Sequence, residues 1–162
     1  MEQPGLLMMR RWILVVEPNE VFRDIVCDEA SYCLTKVDLV CVSYATELLT
    51  AMTARGSLPQ LLIVDWFASG SQVRHCLEGL RKHGILGKLN VIALAGESAR
   101  RALCEAQELG VRRFICKHPD EIAFRKKIAE AIHEFVMQES RVASLDTTSL
   151  PIPDPERLRQ GF

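Results

Sequence analysis

Residues 61–65 read Leu61-Leu62-Ile63-Val64-Asp65, four apolar residues in a row and then an acid. An uninterrupted apolar run of this length, with β-branched members, is the pattern of a strand covered on both faces. The same pattern recurs upstream in Trp12-Ile13-Leu14-Val15-Val16, which ends at Glu17. Downstream it recurs over Asn90 to Leu94, leading into Ala95 and Gly96, and over Arg113 to Cys116, ending at Lys117. A further strand is expected from about Lys36 to Val42.

Helical spacing fills the intervals. Phe22, Ile25, Val26 and Cys33 recur on one face after Asn19, whose side chain can cap the first turn. Leu48, Leu49 and Met52 share a face over Thr46 to Ala54, before Gly56 and Pro59. Val73, Cys76, Leu77 and Leu80 form a third stripe, which follows a loop with Ser69 and Gly70 and ends at Gly84 and Gly87. Ser98 can cap a fourth helix that turns Ala99, Ala102, Leu103, Ala106 and Leu109 inward and ends at Gly110. Asp120 can cap a fifth, with Ile122, Ile128, Ile132, Phe135 and Val136 as its stripe.

Five strand–helix units with short connections and fully apolar strands predict an α/β fold: a doubly wound parallel sheet with helices on both faces. The flavodoxin-like (βα)5 strand order 2-1-3-4-5 is the expected one. The expected organisation is an N-terminal extension over residues 1–10, one domain over 11–138 and a flexible C-terminal tail over 139–162. Three of the seven prolines, Pro151, Pro153 and Pro155, fall in that tail, which has no apolar period.

The 162 residues suffice for one domain with its own core. A formal net charge of -1 creates no global field for nucleic acid or a membrane surface. No apolar run approaches the roughly 18 residues of a membrane span, and Leu6 to Met9 is too short for a secretory signal, so a cytoplasmic location is expected. The six cysteines, Cys27, Cys33, Cys41, Cys76, Cys104 and Cys116, contain no CxxC pair. They are expected to be reduced structural thiols rather than disulfides or metal ligands.

Chemistry in such a sheet collects at the carboxyl ends of the strands. Those ends carry Glu17, Asp65, Ala95 with Gly96, and Lys117. Two carboxylates are suitable ligands for a hard cation such as Mg²⁺, and a facing ammonium can neutralise a phosphoryl group. Glu17 can equally be a charge favourable to the N-terminus of the first helix, and Phe114 can be plain strand core. His118 reads as a loop residue beside the site. The basic clusters Arg100-Arg101, Arg112-Arg113 and Arg125-Lys126-Lys127 read as solvated charge. No Gly-rich phosphate loop or GxSxG elbow supports an enzyme.

These segments together resemble a response-regulator receiver domain of the CheY-like kind, over roughly residues 11–138. The opening Ile13-Leu14-Val15-Val16-Glu17-Pro18-Asn19-Glu20 is similar to the family's first strand and acidic pair. Leu61-Leu62-Ile63-Val64-Asp65 resembles the strand that presents its phosphoacceptor. Val91-Ile92-Ala93-Leu94-Ala95-Gly96 resembles the strand that leads to its Ser/Thr switch, and Phe114-Ile115-Cys116-Lys117 the strand with its switch aromatic and lysine. The resemblance implies that Asp65 accepts phosphate from a histidine kinase or phosphotransfer protein. It further implies that Glu17 and Asp65 hold Mg²⁺, that Lys117 contacts the acyl phosphate, and that Ala95 and Phe114 occupy the switch positions.

The chain departs from the family pattern at four places, one of them Ala68-Ser69, where Met-Pro often follows the phosphoacceptor. Pro18 replaces the second acid, so the Mg²⁺ site is weakened. Ala95 replaces the switch Ser/Thr, and Lys117-His118-Pro119 replaces Lys-Pro. Two readings follow. One is a stand-alone receiver in two-component signalling, whose output is protein–protein contact through the fourth helix, fifth strand and fifth helix, a face that can also form a homodimer. The other is a phosphorylation-independent pseudo-receiver that serves as a docking module.

Overall fold

The computed structural model describes residues 10–68, 72–96, 99–111 and 113–142. Five strands alternate with five helices: β1 Trp12–Val16, α1 Glu20–Cys33, β2 Asp38–Val42, α2 Thr46–Arg55, β3 Leu61–Asp65, α3 Gln72–Lys82, β4 Asn90–Ala95, α4 Arg100–Glu108, β5 Arg113–Cys116 and α5 Glu121–Val142. One 3-10 turn, Leu86–Lys88, precedes β4. All strand pairs are parallel, and the order is β2-β1-β3-β4-β5, as the sequence pattern predicts.

The pleat sorts each strand's side chains between two cores. Trp12, Leu14 and Val16 of β1, with Leu62 and Val64 of β3, face Leu48, Met52, Leu77, Leu80, Ala102 and Ala106 on α2, α3 and α4. Ile13, Val15, Leu61 and Ile63 face the other way, onto Ile25 and Val26 of α1 and Phe124, Ile128 and Ile132 of α5. Every residue of β1 and β3 is therefore buried, which is why neither strand alternates in sequence. A polar pair is accommodated beside the first core. The Trp12 indole N–H donates to Ser57 Oγ at 3.0 Å, so both are satisfied away from water.

The helix ends follow local rules. Asn19 Oδ1 accepts from the Phe22 N–H, and Asp120 Oδ1 accepts from the Ile122 and Ala123 N–H groups. Gly84 and Gly110 take left-handed φ values of 70° and 88° at the ends of α3 and α4. There the N–H groups of Ile85 and Val111 return to Leu80 and Ala106, and those of the glycines to Arg81 and Gln107. This double closure favours glycine because a side chain strains that backbone. Ser69, Gly70, Ser98 and Arg112 lie outside the described residues, as do the expected extension short of Arg10 and the tail beyond Val142.

One expectation changes. α5 runs through Val142. Its last turns are tied to the start of the sheet, with Glu139 Oε2 3.5 Å from Arg11 Nη1. The expectation of uniformly reduced cysteines is corrected: Cys27 of α1 and Cys41 of β2 form a disulfide. Packing of α1 beside β2 brings the two together, which no CxxC-type spacing announces. Cys33, Cys76, Cys104 and Cys116 remain free thiols.

Candidate functional site

Parallel pairing delivers all the strand ends to one rim. Glu17 follows β1, Asp65 closes β3, Ala95 closes β4 and Lys117 follows β5. Glu17 is tied in by its N–H to the Val42 carbonyl at 3.0 Å, and Lys117 by its N–H to the Ala95 carbonyl at 2.7 Å. β4 stands between β5 and β3, so the Lys117 side chain must cross it to reach the acids. The residue it crosses ends in a methyl group, Ala95, which is itself buried.

Lys117 Nζ donates to Glu17 Oε1 at 2.9 Å and to Asp65 Oδ2. Glu17 Oε2 lies 2.7 Å from the same ammonium, close enough for an ion pair, although no well-directed hydrogen bond reaches it. A backbone N–H also holds one oxygen of each acid. Glu17 Oε1 also accepts from the Asn19 N–H at 3.0 Å, and Asp65 Oδ1 accepts from the Phe67 N–H at 2.7 Å. Glu17 is fully buried, and Asp65 retains 7% of its surface. Burial pushes the Glu17 carboxyl above its ordinary range; the Lys117 hydrogen bond pulls against that, and the nearby Asp65 charge adds to it.

Three residues that the sequence did not place at the site complete it. The Phe22 ring of α1 lies 4.9 Å from Lys117 Nζ and meets Phe124 of α5 edge-on, at 5.1 Å and 87°. Arg23 Nη1 bridges the Glu17 carbonyl and Ser43 Oγ, fastening the β1–α1 turn to the β2–α2 turn. Trp66, directly after Asp65, is buried, and its indole N–H donates to Glu105 Oε2 of α4 at 3.4 Å. Glu105 is in turn paired with Arg74 of α3 and Arg101 of α4. An aromatic next to the strand-end acid was the only available signal for Trp66. Nothing in the sequence pairs Phe22 with a lysine about a hundred positions away.

The remaining expected residues fall as follows. Phe114 is half-buried and packs against the core shared with α4. His118 turns back on its own loop, where Nδ1 accepts from the Asp120 N–H at 3.0 Å. Arg101, Arg113 and Arg125 are engaged in ion pairs within the chain, with Glu105, with Glu134, and with Glu121, Asp28 and Glu29 respectively. Among the described residues no helix is long and apolar enough to cross a membrane.

The donor set suits a divalent ion poorly. The two carboxylates converge on an ammonium that already lies between them, and Pro18 offers no side-chain ligand where a second acid would stand. Among the described residues no group of three or more His, Cys, Asp or Glu forms a metal-binding cluster.

The fold is that of response-regulator receiver domains. The phosphorylated cyanobacterial phytochrome response regulator RcpA superposes with a TM-score of 0.71 at 16% identity, over 80% of this chain and 96% of that one. The Mn(2+)-bound form of response regulator Rcp1 gives 0.66 at 16% identity, over 88% and 99%. Response regulator RPA3017 of red-light signalling in R. palustris gives 0.61 at 19% identity, again over 88% and 99%. No family model and no curated protein matches the chain.

Proposed function

We propose that this protein is a receiver in two-component signalling, with Asp65 as phosphoacceptor and output through protein–protein contact. The observation that carries the reading is the Asp65–Lys117–Glu17 constellation at the carboxyl rim of a receiver-fold sheet. In the reaction a carboxylate oxygen of Asp65 attacks the phosphorus of a phosphohistidine. The P–N bond breaks, and its electron pair returns to the imidazole of the kinase or phosphotransfer protein. Lys117 meets the incoming phosphoryl oxygens with positive charge, and Glu17 holds that ammonium in place.

A protein partner at this rim is supported by apolar side chains that face solvent there. Val21, Phe67 and Ile122, exposed by 64%, 56% and 80%, sit just beyond β1, β3 and β5. The outgoing contact, and any homodimer, is assigned to the face of α4, β5 and α5. The test is the intact mass after incubation with acetyl phosphate, with Asp65→Asn as control. A phosphate adduct on the wild type alone is expected.

A second reading, the phosphorylation-independent docking module, is favoured by Ala95. Its buried methyl group cannot hydrogen-bond a phosphoryl oxygen, so the usual link from site to α4 is lacking. A folded wild type that gains no phosphate from acetyl phosphate or from any histidine phosphodonor, yet still binds a partner, would establish this reading instead.

A further inference from the structure

We infer that the Lys117 ammonium is the resident cation of the Glu17–Asp65 pair, and that this rim works without a divalent metal. The inference holds whether or not Asp65 is phosphorylated.

Charge is the first argument. Glu17 is wholly buried, Asp65 nearly so, and the Lys117 side chain is only 12% exposed. Two carboxylates and one ammonium in that space leave a single negative charge. A divalent ion added beside Lys117 would reverse the sign and set two cations against each other with little water between them. An ion that took the place of Lys117 would leave a buried ammonium unpaired, an outcome that strongly penalises the fold.

Coordination is the second argument. Mg²⁺ demands near-octahedral oxygen ligands and gives up its water reluctantly. Glu17 directs both oxygens at Lys117, at 2.9 and 2.7 Å, and Asp65 directs Oδ2 there while Oδ1 is held by the Phe67 N–H. Pro18 adds no ligand. The third argument is shape. The Phe22 ring, met edge-on by Phe124, lies 4.9 Å from Nζ, so aromatic carbon forms part of the wall. Lysine also suits this arrangement, since its ammonium donates to both carboxylates while its charge faces the ring.

The experiment uses the full chain, with Mn²⁺ as a paramagnetic probe and Mg²⁺ as competitor. The free-Mn²⁺ resonance is followed over the millimolar range, alongside thermal melts with and without the ion. For the wild type, an undiminished resonance and an unchanged melting temperature are expected. Lys117→Met keeps the side-chain length and removes the charge, and it is expected to bind Mn²⁺ about ten-fold or more tightly than the wild type. Wild-type binding that Mg²⁺ reverses, or a rise in wild-type melting temperature with Mn²⁺, overturns the inference. So does a folded Lys117→Met that still ignores Mn²⁺, since the ammonium would then not be what excludes the ion. Should that variant fail to fold, the wild-type titration decides alone.

Discussion

Lys117 and Glu17 are separated by 100 positions in the chain, yet the ammonium of one lies 2.9 Å from a carboxylate oxygen of the other. The strand order makes this possible, and the pair ties the end of β5 to the end of β1. Removing one partner should therefore be felt globally. Lys117→Ala leaves Glu17 and Asp65 facing each other in a buried space, and a loss of about 3–5 kcal/mol is expected. A domain near the middle of the ordinary range of roughly 5–15 kcal/mol remains folded after such a loss. Urea unfolding monitored by circular dichroism measures it.

The Phe22 contact can be separated from simple burial. Phe22→Leu keeps an apolar side chain but removes the ring facing both Phe124 and Lys117. A cost of about 1–2 kcal/mol is expected, as the sum of an aromatic pair and a cation–ring contact. In the double variant with Lys117→Met the two losses should be less than additive, because one of these contacts is shared.

Ala95→Ser places a hydroxyl in a buried position, at an expected cost of about 1–3 kcal/mol while that group lacks a partner. On the receiver reading, a phosphoryl group on Asp65 would supply the acceptor. Treatment with acetyl phosphate should then raise the melting temperature of Ala95→Ser more than that of the wild type. Equal shifts would show that the methyl group is not what limits the response.

The cysteines should sort by reactivity. Without reductant four thiols are expected to react in denaturant, because Cys27 and Cys41 are joined; all six should react after reduction. In the folded protein Cys104 is exposed and should be alkylated first. Burial pushes the Cys76 thiol up, and burial together with the Glu29 charge does the same at Cys33. Both should lag at neutral pH and react faster as pH rises, since the thiolate is the reactive form. Peptide mass mapping over time follows this order.

Ile122→Lys and Val21→Lys change side chains that face solvent, so stability should move by no more than about 0.5 kcal/mol. If the apolar groups at the rim receive a phosphodonor protein, both variants should be phosphorylated more slowly by that donor. Labelling by acetyl phosphate, which needs no docking, should proceed unchanged.

Strand identity and order were legible because β1 and β3 are covered on both sides and so carry apolar residues at every position. Glu17, Asp65 and Lys117 stood out for a related reason, since a charge at the end of such a run has only the rim to go to. The helix caps at Asn19 and Asp120 were legible because a cap acts within three residues. What could not be read acts through space. The Phe22–Lys117 contact, the Trp66–Glu105 hydrogen bond and the Cys27–Cys41 disulfide each join elements whose approach is set by packing rather than by any local spacing. The ion pair that holds the last turns of α5 to Arg11 likewise joins distant segments and has no local signal.

Trp66 gives the protein a built-in optical gauge. The chain has two tryptophans, and they sit at opposite ends of the sheet: Trp12 opens β1, while Trp66 follows the last residue of β3. Replacing Trp12 with phenylalanine leaves a single indole, one peptide bond from Asp65 and hydrogen-bonded to α4. Its emission would report, from within the folded chain and without any dye, both an event at the acid and a shift of the helix beyond it.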